Sequence, residues 1–166
     1  MKKYTLTIIF VIAILTAVGQ SPVPKGQSQF NAGLGLSSWG VPVYLGLDFG
    51  VHNDITVGGE LSYRGYHDKI NSVTYDHTVI GISGNGNYHF NRVLDIPPTW
   101  DLYAGLNAGF YIWNSAREYP GTHTSGLGLG AQIGARYYFS DNVGLNIEFG
   151  GGNAFSGGKF GISILL

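Results

Sequence analysis

Apolar and polar residues alternate along most of this chain. In residues 43–51 the odd positions are Val, Leu, Leu, Phe and Val, whereas the even positions are Tyr, Gly, Asp and Gly. Successive side chains of a β-strand point to opposite faces, so this alternation indicates a strand with one apolar and one polar face. It recurs often enough to predict eight such strands, at 30–37, 43–51, 55–64, 80–90, 102–112, 126–139, 143–150 and 160–166.

The connections between the predicted strands also alternate in character. At one end they are the tight turns 52–54 and 140–142 and the proline-containing segment 91–100. At the other end they are mostly longer and rich in Gly, Ser, His and Tyr, at 38–42, 65–74, 114–124 and 151–158. Asn85-Gly86 is a hairpin signal. The alternation nevertheless passes through it without a change of phase, which predicts one long fourth strand.

Composition decides which face meets water. Charged residues make up only 11% of the chain and glycines number 27, whereas a soluble domain is about 25% charged. The polar face is mostly Gly, Asn, Ser and Tyr, which would be a poor soluble surface. The sequence therefore predicts an all-β fold, an eight-stranded antiparallel up-and-down transmembrane β-barrel with its apolar face in lipid. The alternative is a secreted soluble barrel with the apolar face inside.

Aromatic residues near the predicted strand ends support the membrane interpretation, because outer-membrane barrels carry aromatic girdles at both interfaces. Those near the long-loop end are Trp39, Tyr63, Tyr66, Tyr75 and Trp113. Those near the short-turn end are Phe49, Tyr88, Phe90, Trp100, Tyr137 and Phe139.

The first residues have the three-part pattern of a secretory signal peptide. Met1-Lys2-Lys3 is followed by the apolar run 5–18 and by small residues at Ala17 and Gly19. Fourteen residues span only about 21 Å as a helix, less than the ~30 Å of a hydrocarbon core, which disfavours an uncleaved anchor. We predict a signal peptide at 1–19, a short periplasmic spacer at 20–28 and the barrel at 29–166.

Several functional classes are excluded or disfavoured by composition. The chain has no cysteine, which excludes disulfide scaffolds and thiolate metal sites. Nine basic against ten acidic residues provide no basic field for nucleic acid. The five histidines lack metal-ligand spacing, and the glycines at 126, 128, 130 and 134 lie within one predicted strand. We therefore predict no metal, no cofactor and no nucleic-acid partner.

The polar face carries the charged residues expected to line the lumen. These are Asp48, Glu60, Arg64, Arg136 and Glu148, with His89 nearer the short-turn end. Counting from the turns puts all three carboxylates at the height of Arg136, which predicts a bridged network, with Arg64 pairing through Glu60. This network is either a structural plug or the constriction of a narrow cation-preferring pore.

The segments 134–152 (GARYYFSDNVGLNIEFGGG) and 159–166 (KFGISILL) resemble the closing strands of small OmpA/OmpX-like outer-membrane barrels. The resemblance implies a monomer in the bacterial outer membrane, with periplasmic termini, short periplasmic turns and longer outward loops. It also implies contact with outer-membrane lipids and with the barrel assembly machinery, which recognises a terminal aromatic residue. This chain ends instead in Leu165-Leu166, and its nearest aromatic residue is Phe160.

His123-Thr124-Ser125 is similar to the His-x-Ser pair of the lipid A 3-O-deacylase family, another eight-stranded barrel. In that family an acid on the neighbouring strand orients the histidine. Here residues 149–153 contain no acid, and Glu118 in the preceding loop is the only substitute. We predict that the protein is not an enzyme, and a deacylase-like hydrolase is the weaker alternative.

The outward loops are the remaining functional surface. Segments 65–74 and 114–124 mix Tyr, His, Arg and Glu, which suits contact with lipopolysaccharide or another partner, and the contact candidates are Arg117, Glu118 and His123. Loops on a rigid scaffold often carry binding residues. The sequence thus predicts a structural or surface-interaction role, with an extracellular protein or surface ligand as partner, although solvated loops without specific purpose are equally consistent.

Overall fold

Eight antiparallel strands form a closed barrel in which every strand pairs with its sequence neighbours and β1 pairs with β8. The computed structural model describes residues 20–37, 40–70, 73–115, 125–153 and 156–166. The strands are β1 (Ser28–Ser37), β2 (Val43–His52), β3 (Ile55–Ile70), β4 (Val73–His89), β5 (Trp100–Ser115), β6 (Gly126–Tyr138), β7 (Val143–Gly152) and β8 (Gly157–Leu165). The prediction of an eight-stranded up-and-down barrel is confirmed. The predicted signal peptide 1–19 lies outside the described residues.

The barrel is apolar outside and polar inside. Large apolar side chains on its outer surface are widely exposed, for example Leu106 at 71% and Leu127 at 75%. The buried residues are mainly polar or charged, among them Arg64, Asp101 and Arg136. Closure satisfies the backbone hydrogen bonds of all eight strands within the barrel, as a lipid environment requires.

The connections at the short-turn end, where β1 begins and β8 ends, are 53–54, 90–99 and 139–142. The longest of them contains a one-turn helix, α1 (Asn91–Leu94). In the part of the chain that the structure describes, no helix is long and apolar enough to span a membrane. The opposite end of the barrel is the long-loop end.

The expectation that residues 65–74 form a long loop is wrong. The β3–β4 ladder continues from Gly65 opposite Thr78 to Ile70 opposite Val73, so most of this segment is an extended hairpin. The ladder continues although the apolar–polar alternation fades in this segment, because each added residue pair gains cross-strand contacts. The fourth strand also continues through Asn85-Gly86, as the constant phase of the alternation predicted.

Three predicted girdle residues at the long-loop end, Tyr66, Tyr75 and Trp113, face the interior instead of lipid. The rings of Tyr66 and Trp113 both contact the ring of His77, with centroids 5.9 and 6.2 Å from it, and His77 is only 3% exposed. Tyr75 lies two residues from His77 and therefore on the same face of β4. Tyr63, on the opposite face of β3, is 54% exposed, and Trp39 lies outside the described residues.

Candidate functional site

The polar side chains of all eight strands meet in the lumen, where charged residues form two clusters. We call Asp48, His89, Asp101 and Arg136 the lower cluster, because it lies near the short-turn end. Glu60, Glu148 and Lys159 form the upper cluster, which lies nearer the middle of the barrel. Alternation along each strand directs these side chains inward.

Arg136 on β6 is the centre of the lower cluster. Its guanidinium donates to Asp48 on β2 at 2.9 Å and to Asp101 on β5 at 2.8 Å. It also lies 4.2 Å from the centre of the Tyr103 ring, within the range of a cation–π contact. Because Arg136 is 3% exposed and Asp101 is 0% exposed, these charges depend on one another for compensation.

The lower cluster continues through further side-chain hydrogen bonds. Asp101 pairs with His89 Nδ1 at 2.7 Å, and Thr56 Oγ1 lies 3.0 Å from His89 Nε2. On the other side, Asp48 accepts from the amides of Asn31 and Asn85 at 2.9 and 3.2 Å. The strands β1 to β6 are thereby linked across the interior by one polar network.

Lys159 on β8 is the centre of the upper cluster. Its ammonium donates to Glu60 on β3 and to Glu148 on β7, at 2.7 Å in each case. Glu148 also accepts from the hydroxyl of Tyr103 at 3.0 Å, which connects the upper cluster with the aromatic ring that covers Arg136. The upper cluster is more accessible than the lower one, since the side chain of Lys159 is 26% exposed.

Arg64 lies closer to the long-loop end. It is 1% exposed and its guanidinium donates to the hydroxyl of Ser37 on β1 at 3.0 Å. Glu60 pairs with Lys159, and the pairing of Arg64 through Glu60 stays a prediction.

The expectation of three carboxylates around Arg136 is also corrected. Asp48 does pair with Arg136, but Glu60 and Glu148 pair with Lys159, and Asp101 completes the lower cluster. Sequence reasoning missed Asp101 and Lys159. Asp101 lies two positions before Tyr103, and Lys159 lies two positions before Gly161, both on the polar face of their strands. Extending the alternation by two positions in each strand would have found both.

A cavity lies on the long-loop side of the upper cluster. Its volume of about 70 Å³ holds roughly five water molecules, at about 10–15 Å³ each. Its polar lining includes Glu60, Arg64 and Tyr111, and the β6–β7 side is mostly bare glycine. A smaller cavity of about 20 Å³ lies between the two clusters. The charged side chains therefore separate two small polar spaces.

The outward contact candidates Arg117, Glu118 and His123 lie outside the described residues. The hydroxyl of Ser125, the partner of His123 in the deacylase-like pattern, accepts the backbone N–H of Trp113 at 3.0 Å. Within the described part of the chain, no group of three His, Cys, Asp or Glu side chains is placed to hold a metal ion.

Comparison with known proteins identifies a family. The family model of the outer membrane protein beta-barrel domain matches residues 10–163. No curated protein matches the chain.

Solved structures share the fold at low sequence identity. OprG from Pseudomonas aeruginosa aligns with a TM-score of 0.68 at 8% identity, covering 88% of this chain and 99% of that one. Neisserial surface protein A aligns with a TM-score of 0.54 at 15% identity, covering 84% and 94%. The Yersinia pestis protein Ail in a phospholipid nanodisc aligns with a TM-score of 0.55 at 14% identity, covering 86% and 100%.

Proposed function

The chain belongs to the outer membrane protein beta-barrel family, and on that premise we propose a non-conducting barrel whose function lies at its outer surface. The protein lies in the bacterial outer membrane, as the barrels that share its fold do. In this proposal it is monomeric and non-enzymatic, is inserted by the barrel assembly machinery, and contacts lipopolysaccharide or an extracellular ligand through its long-loop end.

The closed lumen is supported by two cations, each of which forms ion pairs with carboxylates on two other strands. Arg136 connects β6 with β2 and β5, and Lys159 connects β8 with β3 and β7. A permeating ion would have to separate buried pairs, which is costly because each charge would lose its compensation. An eight-stranded barrel is also only wide enough to be filled by side chains.

A planar bilayer tests whether the lumen conducts. Protein purified from outer membranes and folded, as judged by heat-sensitive gel mobility, is expected to give no unitary current steps. A general porin, reconstituted in the same way, is the positive control. Stable steps that favour cations and change in Glu60→Gln would refute the closed lumen and support the narrow cation-preferring pore. The cavity of about 70 Å³ beside Glu60 is the feature that favours this second function.

The outer surface is proposed as the interaction site because the polar β3–β4 hairpin extends past the ion clusters at the long-loop end. His67 and Asp76 pair at 2.6 Å on the extended β3–β4 hairpin, with side chains 73% and 79% exposed. The loop that carries Arg117, Glu118 and His123 connects β5 with β6 at the same end. Charged and aromatic groups of this kind suit sugar and phosphate groups.

Lipopolysaccharide retention tests this surface. We expect Arg117→Ala to lower the amount of lipopolysaccharide that co-purifies with the protein, because a charge-assisted contact to phosphate is lost. Asp141→Ala, in a turn at the opposite end, is the matched control and leaves retention unchanged. Equal retention by the two variants would count against lipopolysaccharide as the partner and leave an extracellular protein to be tested by the same pair.

A further inference from the structure

The residues that precede β1 fold back into the barrel at its short-turn end. We propose that this N-terminal strap, residues 21–27, seals that mouth of the lumen, so that no solute enters the lumen from the short-turn end. The sequence predicts a spacer here. The inference extends the proposed closed lumen by a second closure, independent of the ion clusters.

A tight turn directs the strap inward. The N–H of Gln27 donates to the carbonyl of Pro24 at 3.1 Å, and Gly26, the third residue of this turn, has φ +91°. A positive φ at that position is the mark of a type II turn and favours glycine. The turn is tied to β2 by two bonds, Gly26 N–H to Gly50 carbonyl and Gly50 N–H to Gln27 carbonyl, each 2.9 Å.

The strap lies against the lumen face of β2. Gly50 is two residues from Asp48 and therefore faces the interior. A Cβ atom on Gly50 would lie 2.1 Å from the carbonyl oxygen of Pro24 and 2.8 Å from that of Val23. Its three nearest atoms all belong to these two strap residues. Glycine at position 50 thus leaves the space that the strap occupies.

The mouth that the strap covers is closed to solvent. Five lumen-facing residues within three positions of the short-turn end of their strands are 0% exposed, namely Gln29, Thr56, His89, Asp101 and Ser163. Val23 in the strap is also 0% exposed, and Ser21 is 2% exposed. Side chains at the mouth of an uncovered barrel would contact water, so this burial supports a seal.

The seal has a direct consequence for what the lumen can bind. By the usual orientation of these barrels, the short-turn end faces the periplasm. Small polar molecules in the periplasm then cannot reach the upper cavity, and none passes through the lumen while the strap is in place. Displacement of the strap would open the lower mouth without disturbing the Arg136 or Lys159 ion pairs.

Thiol labelling tests the seal, since the chain has no cysteine of its own. Thr56→Cys places a thiol opposite Gly50, its register partner, and Asp141→Cys places one in an exposed turn at the same end. In folded protein purified from outer membranes, we expect a water-soluble maleimide to react with Thr56→Cys at least ~10-fold more slowly than with Asp141→Cys.

Adding Gly50→Ala to Thr56→Cys should raise its labelling rate roughly 10-fold, because the new Cβ displaces the strap. Gly46→Ala is the matched control on the same strand and face. Its Cβ would lie 3.4 Å from the nearest atom, so it should leave the labelling rate unchanged. Val23→Asp repeats the test by placing a charge in the seal, should Gly50→Ala fail to fold. Fast labelling of Thr56→Cys in otherwise native protein, or protection that survives strap displacement, would overturn the seal.

Labelling and conductance separate the two proposals. Fast labelling of Thr56→Cys in a protein that gives no current overturns the seal alone. Unitary current through the native protein overturns the proposed closed lumen. The Gly50→Ala variant is expected to label fast and still give no current, because both ion clusters remain.

Discussion

Removing the Arg136 guanidinium tests whether the lower cluster stabilises the barrel as one compensated unit. Arg136→Met keeps most of the side-chain length but removes the positive charge. It leaves Asp48 and Asp101, which are 2% and 0% exposed, without the cation that each of them contacts. Breaking a buried ion pair by removing one partner costs about 3–5 kcal/mol. Loss of the Tyr103 contact at 4.2 Å adds about 1 kcal/mol to this cost. We therefore expect the free energy of unfolding to fall by an amount near the upper end of that range.

The cost should be reversible by neutralising the partners. When Asp48→Asn and Asp101→Asn are added to Arg136→Met, no uncompensated charge remains, and replacing all members of a buried ion cluster is often close to neutral. We expect the triple variant to lie within about 1–2 kcal/mol of the wild type, the residual loss coming from imperfect hydrogen bonds. The triple variant should thus be more stable than the single one.

Urea unfolding in lipid vesicles, followed by tryptophan fluorescence, measures these differences in free energy. Lys25→Met is the control, since it removes an exposed cation and should change stability by less than about 0.5 kcal/mol. A loss below about 1 kcal/mol for Arg136→Met would refute the assignment of a buried, mutually compensated cluster. A triple variant no more stable than the single one would refute the electrostatic cause.

Three further comparisons test other parts of the barrel by the same unfolding assay. Lys159→Met should lower the free energy of unfolding by about 2 kcal/mol, less than Arg136→Met, because the Lys159 side chain is 26% exposed. A decrease equal to or larger than that of Arg136→Met would contradict this ranking. Gly58→Ala should cost about 1–3 kcal/mol, because its Cβ would lie 2.2 Å from Asp48 Oδ1, whereas Gly86→Ala meets nothing within 4 Å and should be neutral. Leu106→Arg, at a lipid-facing position 71% exposed, should cost about 2–4 kcal/mol, but Ile55→Arg at the strand end only about 0–1 kcal/mol. Similar losses at those two positions would count against the placement of the membrane.

The inward or outward direction of each side chain was predictable because it depends only on the parity of a residue within its strand. Asp48, Glu60, Arg64, Arg136 and Glu148 all have the lumen-facing parity expected of them. The error over Tyr66 and Trp113 came from a second criterion, their position near strand ends. Parity was the sounder guide, since both residues alternate in phase with lumen-facing neighbours.

The pairing of the charges was less predictable, because it depends on the heights of strands that are distant in sequence. Lys159 reaches Glu60 across 99 positions of the chain, and Arg136 reaches Asp48 across 88. Counting residues from each turn placed Glu60 and Glu148 at the height of Arg136. The structure instead pairs them with a lysine on the closing strand, whose height is set by the β1–β8 register.

The number of strands, their two faces and the lipid environment of the outer face could be predicted without a structure. These properties are local, because a period of two and a shortage of charge can be read without knowing which strands meet. The pairing of the ions, the extent of the β3–β4 hairpin and the position of residues 21–27 could not. Those features depend on closure of the barrel, which brings β8 beside β1 and creates the interior that the strap enters.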